Sequence, residues 1–360
     1  MRTADFNFEL PPELIAQHPA PERGQSKLLV LDRKQNRIEH KSFPNLLDYL
    51  SPGDVLVLND SRVIPARLRG VNASTGGRFE MLLLEENAVN DWWAMVRPGK
   101  NARIGTAIAI AGPGAEAGEG TVTATVTEKN AEGHCRFRFS GGGDIKGLLE
   151  AFGEVPLPPY ISRHGMGRLP EDKERYQTVF ARNDGSVAAP TAGLHFTDPL
   201  LDKIRRAGVT VCFVTLHVGL GTFLPVKASE LSEHTMHEER FSLGEDTVRA
   251  VNQAQEAGAR VVAAGTTTVR VLESVAAKNG GKLNVYAGKT NIFIFPPYQF
   301  KIVDALVTNF HLPCSTLLML VSAFASPGET GGREMMLAAY AEAIRERYRF
   351  YSYGDAMLIL

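Results

Sequence analysis

Cysteine is scarce and scattered: Cys135, Cys212 and Cys314 are the only three in 360 residues, and no CxxC or Cys/His spacing links them. That excludes a disulfide framework and leaves no pattern for a structural zinc; reduced thiols fit the cytoplasm. Long apolar runs are missing too. The most apolar stretch, Ile302 to Ala325, is broken by Asn309, His311 and Pro313, far short of the roughly 20 continuous residues needed to span lipid. Met1 to Phe6 lacks the basic and apolar regions of a signal peptide. No sign of charge dominates either. Lys plus Arg is 39, Asp plus Glu is 40 and the formal net charge is −1. No global field therefore draws the chain to nucleic acid or membrane, and a polyanion must meet a local patch.

What is present is an ordinary folded composition, 44% hydrophobic over a length of 360 residues, which suggests about two domains. Between residues 62 and 150 the texture is that of short strands. Phe79 to Leu84, Trp93 to Val96, Ile104 to Ala111, Thr121 to Thr127 and Cys135 to Phe139 are strand-length, and Gly76-Gly77, Gly112-Pro113-Gly114 and Gly141-Gly142-Gly143 separate them. Such a run predicts a small antiparallel β-barrel or sandwich. Residues 151–360 instead alternate helix and strand. Asp198 with Pro199 opens a helix that Gly208 ends, and strands are expected at Val209–Val214, Arg260–Ala264 and Val303–Thr308. Helices are expected at Asp246–Ala257, from Thr266 to Ser274, at Ser315–Ala325 and at Arg333–Arg347. The fold class expected is mixed α/β.

In an open α/β sheet, ligands gather beyond the carboxyl ends of the strands, and four loops there carry chemistry. Ala189 to Phe196 offers Thr191, Gly193 and His195. His217 to Phe223 offers His217 and the pair Gly219 and Gly221, which let backbone amides approach a ligand; a third glycine and a following helix are absent, which disfavours a dinucleotide fingerprint. Gly265 to Arg270 places Thr266, Thr267 and Arg270 at a helix N-terminus, where free N–H groups favour an anion. Thr308 to Ser315 contributes Asn309 and His311. Each has a plain structural alternative, a satisfied loop histidine or a threonine cap. Three of nine histidines in separate strand-end loops nevertheless suggest one shared pocket. No HxxxH or HExxH spacing exists, so no metal is expected. Arg62, Arg67 and Arg69, with Arg97, Lys100 and Arg103, form a basic stripe suited to phosphate, although solvated surface charge is the commoner reading of such residues.

Taken in order, Leu58 to Arg67, Pro156 to Ile161, Tyr176 to Val179, Ala189 to Phe196, Thr215 to Gly219 with Gly221 to Phe223, Gly265 to Thr267, Ala305 to Pro313 and Tyr348 to Met357 resemble the S-adenosylmethionine:tRNA ribosyltransferase-isomerases of queuosine biosynthesis. The resemblance is collinear and covers essentially the whole chain. It implies an α/β catalytic domain, 1–61 with 151–360, and a β-barrel inserted at 62–150. It also implies the reaction, in which the ribosyl part of S-adenosylmethionine is transferred and isomerised onto 7-aminomethyl-7-deazaguanine at the wobble position of a tRNA. The products are epoxyqueuosine, adenine and methionine. A histidine suits the base that this reaction needs, and His195 and His217 are the first candidate catalytic residues, with His311 third. Thr191, Gly193, Gly219, Gly221, Thr266, Thr267 and Arg270 are placed against S-adenosylmethionine, and Arg62, Arg67 and Asn309 against the tRNA. The co-substrate is S-adenosylmethionine, no metal and no membrane is involved, and a cytoplasmic monomer is expected.

Two competing readings fit the residues less well. A tRNA methyltransferase using the same co-substrate would open with a Gly-rich loop after its first strand, which is not found. A non-catalytic RNA-binding module would have no need of so many polar strand-end loops.

Overall fold

The computed structural model describes residues 1–110, 122–163, 169–219 and 226–360. The chain opens with the hairpin β1 (Lys27–Asp32) and β2 (Arg37–Ser42), then β3 (Val55–Asn59) and the short β4 (Ser61–Val63). Next come β5 (Arg67–Asn72), β6 (Arg78–Ala88), β7 (Asp91–Arg97), β8 (Ala107–Ile110), β9 (Val122–Lys129) and β10 (Cys135–Ser140), followed by helices α1 (Ile145–Phe152) and α2 (Pro170–Arg175) and strand β11 (Asn183–Ser186). The rest alternates: α3 (Asp198–Arg206), β12 (Thr210–Leu216), β13 (Glu239–Leu243), α4 (Glu245–Glu256), β14 (Val261–Ala264), α5 (Thr266–Lys278), β15 (Tyr286–Thr290), β16 (Ala305–Asn309), α6 (Thr316–Ala325), α7 (Gly332–Arg345) and β17 (Ala356–Ile359). Among the described residues no helix is long and apolar enough to cross a membrane.

Two compact units result: Met1–Arg62 with Pro158–His164 and Glu174–Leu360, and the described residues of Val63–Leu157 with those of Gly165–Lys173. In the first, nine strands form one sheet in the order β15-β13-β12-β3-β14-β16-β17-β1-β2. Its centre is parallel, β12 with β3, β3 with β14 and β14 with β16. β17 then enters antiparallel to β16 and parallel to β1, and so joins the amino-terminal hairpin to the rest.

Strand alternation builds a core on each face. Val55, Val57, Ala263, Leu306, Met357 and Ile359 turn to the side covered by α4, α5, α6 and α7. Leu56, Leu58, Val262, Val307 and Leu358 turn to the side covered by Phe43, Leu46, Phe196 and the Leu200, Leu201 and Ile204 stripe of α3. Residues buried on both faces explain why these strands read as continuous apolar runs.

The second unit contains the closed six-strand barrel, order β10-β7-β6-β5-β8-β9. Its strands alternate as period two requires: Val122, Ala124 and Val126 on β9 and Cys135, Phe137 and Phe139 on β10 are buried. Gly70 permits closure, since a Cβ there would sit 2.6 Å from Ala109 O on β8. The mixed α/β class with a small antiparallel barrel is therefore the observed architecture. The strand-only texture missed α1, which begins after the glycine run because Asp144 caps it, accepting the Lys146 N–H. At α3 the cap is Thr197, whose hydroxyl accepts the Leu200 N–H, and Asp198 is the first helical residue.

Candidate functional site

The carboxyl ends of β12, β14 and β16 surround a cavity that draws residues from all four strand-end loops. Thr191, Val218, Thr266, Thr267, Asn309 and His311 are in its wall, with Tyr160, Tyr351 and Ser352. Local chemistry brings these groups there. After β14 the chain turns at Gly265 with φ +93°, a conformation that favours glycine. α5 then starts with no side-chain cap, leaving the N–H groups of its first turn without a side-chain acceptor. Asn59, at the end of β3, ties the turn down. Its amide donates to Leu216 O (3.0 Å) and Thr267 Oγ1 (3.2 Å), while its Oδ1 accepts from Leu216 N (3.0 Å) and Ser61 N (3.1 Å). Next to it, Asp60 Oδ1 accepts from Thr215 Oγ1 at 2.6 Å and Asn183 Nδ2 at 3.0 Å. Sequence reading had not given Asn59 and Asp60 any role; the available signal was two polar residues following the apolar run of β3.

The three histidines occupy different environments. His195 is buried beside Phe43, with ring centroids 5.0 Å apart. Asn309 Nδ2 approaches its Nε2 at 3.1 Å and also donates to Tyr351 O at 3.3 Å. A carbonyl only accepts, so the amide nitrogen faces the ring and Nε2 holds a lone pair; Nδ1 carries the proton and donates to Ser26 Oγ at 2.7 Å. Both nitrogens are thus occupied, and burial holds the pKa down to about 4, with Asp355 opposing and Arg349 and Arg23 adding to the depression. His195 is absent from the cavity wall, which it reaches through Asn309. The Asn309 Oδ1 is buried with no partner.

His311 is in the wall itself, and burial lowers its pKa to about 3. Its Nε2 lies 2.9 Å from Thr308 Oγ1, whose own hydroxyl points to Asn309 O at 3.4 Å. Nε2 therefore donates, and the lone pair is on Nδ1. His217 is half-buried, outside the wall, with Nδ1 buried and unpartnered. Burial, then Arg240, lowers its pKa. A Cβ on Gly185 would meet its Nδ1 at 3.0 Å, so that glycine lets the ring pack flat against the backbone.

The remaining candidates divide the same way. Thr191, Thr266 and Thr267 face the cavity. Gly193 is a packing glycine: a Cβ would lie 2.8 Å from Thr178 Cγ2 and 2.9 Å from Phe180 Cζ. Arg270, 3% exposed, forms a buried ion pair with Glu239, whose other oxygen accepts the Gly219 N–H at 2.9 Å. The pair thereby holds the loop after β12, and Arg270 Nε and Nη2 stay unpartnered. Gly221 lies outside the described residues. Arg62 is exposed and 3.5 Å from Asp184. Arg67 donates to Leu157 O at 3.2 Å and is 3.7 Å from Glu80. Among the described residues no group of three His, Cys, Asp or Glu side chains is placed to hold a metal ion.

A mostly apolar cavity with a few convergent polar groups, beyond the carboxyl ends of parallel strands, is the arrangement of a small-molecule-binding α/β protein. Comparison with known proteins narrows the class. The model of the family described as "Queuosine biosynthesis protein" matches residues 3–359. An S-adenosylmethionine:tRNA ribosyltransferase-isomerase of Clostridioides difficile (strain 630) is 48% identical over 359 residues, covering 100% of both chains. The crystal structure of an S-adenosylmethionine tRNA ribosyltransferase from Thermotoga maritima matches with a TM-score of 0.54 and 39% identity, over 99% of this chain and 100% of that one. This chain belongs to the queuosine biosynthesis protein family.

Proposed function

We infer that this chain is an enzyme that transfers and isomerises the ribosyl moiety of S-adenosylmethionine onto the aminomethyl group of 7-aminomethyl-7-deazaguanine in a tRNA anticodon. The observation that carries this reading is the 48% identity to a ribosyltransferase-isomerase with no part of either chain left over. The comparisons give the methyltransferase and the non-catalytic alternatives no support.

The chemistry makes three demands. The sulfonium acidifies the neighbouring 5′ methylene, so a base removes that proton and the ribose opens with loss of adenine. The substrate amine attacks, and epoxide closure expels methionine. In this proposal His311 is the base: it is in the cavity wall, uncharged at neutral pH, and oriented by Thr308 so that Nδ1 holds the lone pair. The first turn of α5 with Thr266 and Thr267, and Thr191 opposite, receives the polar groups of S-adenosylmethionine. The unpartnered Oδ1 of Asn309 accepts from a substrate N–H, and His195 positions that amide. Glu239 and Arg270 hold Gly219, next to Val218 of the cavity wall, and His217 of the same loop packs against Gly185. Arg62 and the exposed basic residues of the barrel meet tRNA phosphates, which is why a near-neutral chain can bind a polyanion. A tRNA substrate fits a cytoplasmic location.

The test is a product analysis with purified protein, S-adenosylmethionine and tRNA bearing the 7-aminomethyl-7-deazaguanine base, read by mass spectrometry. Adenine, methionine and an epoxycyclopentane-bearing nucleoside are expected. S-adenosylhomocysteine with a methylated nucleoside would overturn the reading.

A further inference from the structure

A second cavity lies beyond the His195–Asn309 hydrogen bond. Arg23, Arg175, Arg349, Ser26, His195 and Tyr353 are in its wall, and Ser352 is shared with the first cavity. Its free space of about 30 Å³ is that of two or three waters, the size of one small charged group.

The arginines are held in an unusual way. Arg23 donates Nη1 to Leu194 O and Nη2 to Glu174 O, each at 3.1 Å. Arg175 donates to Pro21 O at 3.2 Å and to Ala20 O at 2.7 Å. Carbonyls fix a guanidinium without cancelling its charge, and neither arginine makes an ion pair among the described residues. Arg349 is paired with Asp355 at 3.0 Å. Asp355 is outside the wall, and the acid within it is Glu22, exposed and engaged by Gln25 at 2.8 Å. Arg23 has its pKa lowered, first by burial and then by the neighbouring Arg175, against the opposing pull of Glu174, Tyr353 and Asp198. Two like charges are therefore held close together and partly out of water. Each guanidinium has five N–H donors and uses two on carbonyls, so donors remain for a ligand, and planar forks of this kind recognise carboxylate and phosphate.

We propose that this cavity is an oxyanion subsite beside the first cavity, with Arg23 and Arg175 holding a carboxylate or phosphate group against Ser26 and Arg349. The anion chemistry stands on the side chains alone; its source rests on the function proposed above. Each substrate of that reaction brings such a group, the methionyl carboxylate of S-adenosylmethionine and the phosphodiester of the tRNA.

The experiment uses the full chain and the double variant Arg23→Gln/Arg175→Gln. With inorganic phosphate as the probe, the wild type is expected to gain thermal stability at millimolar concentration and the variant to lose most of that gain. S-adenosylmethionine binding by calorimetry and binding of an unmodified anticodon stem-loop RNA by filter retention then separate the sources. A tenfold rise in the Kd of S-adenosylmethionine alone assigns the carboxylate, and a tenfold rise in that of RNA alone assigns the phosphodiester. An unchanged phosphate response with both Kd values within twofold overturns the subsite. If the wild type binds neither substrate, the proposed function fails while the phosphate arm still decides the subsite. Should the double variant melt below assay temperature, Arg23→Lys, which keeps the charge and loses the fork, carries the same reading with an expected threefold effect.

Discussion

The strand ends of the large sheet and the wall of the barrel use polar residues in opposite ways. At the sheet, Asn59, Asp60, His195, Asn309 and His311 are buried, and most of their polar atoms are spent on one another or on backbone. On the barrel, Arg97, Lys100 and Arg103 are exposed and make no ion pair among the described residues. Buried hydrogen-bonded networks fix positions to fractions of an ångström, because a misplaced group loses a partner it cannot replace with water. Exposed charges fix nothing locally and act at a distance through a field that salt screens. The first arrangement suits bond-making and the second suits capture of a large anion.

The sharpest way to break this comparison is at the cavity wall. His311→Ala is expected to lower kcat about 10²–10⁴-fold while the Kd of S-adenosylmethionine moves less than threefold, measured by adenine release and calorimetry; wild-type turnover would remove His311 from the chemistry. His195→Ala should lose activity with altered Asn309 geometry, and Asn, which can still accept from the Asn309 amide, should recover part of it.

Next in size is the buried pair. Glu239→Gln leaves the Arg270 charge uncompensated in a site where both side chains are about 3–5% exposed, which costs about 3–5 kcal/mol in urea unfolding. Replacing both with Met should recover most of that loss, and a loss under 1 kcal/mol would mean that the pair is solvated.

A pH series sharpens the contrast further. The ordinary histidine value is 6.5, whereas His195 titrates at about 4 and His311 at about 3 in the folded chain. Between those values the unfolded chain binds more protons than the folded one, so stability is full above pH 6.5 and falls as pH drops towards 4 and below. His195→Asn should flatten the upper part of that decline, and a melting temperature constant from pH 7 to pH 4 would contradict the burial of both rings. The smallest effect is expected on the barrel: Arg97→Ala and Lys100→Ala should change folding stability by less than about 0.5 kcal/mol. Each should also reduce the salt slope of tRNA binding by about 1.

Much of this was legible in the residues. The buried runs of β3 and β14, the Ser315 cap of α6, which accepts the Leu318 N–H at 3.2 Å, and the alternation of β9 and β10 are local signals that the fold obeys. β13 and β15 were not legible, because Glu239 to Leu243 and Tyr286 to Thr290 mix charge and glycine as strands near a sheet edge do. The four loops stood out by their position after strands, yet their sequences do not say which ring faces the cavity. That depends on partners such as Ser26, separated from His195 by 169 positions, and only the assembled sheet brings them together.

The placement of β17 also governs how the protein is made. β1 and β2 leave the ribosome first, but their pairing to the other strands of the sheet runs through β17, residues 356–359, beyond which the remaining six strands lie. The hairpin must wait, unjoined, for nearly the whole chain to be synthesised, and a nonsense codon anywhere upstream of Ala356 would leave it detached. Pairing over such separations is slow, so the joining of the hairpin to the sheet is expected late in folding.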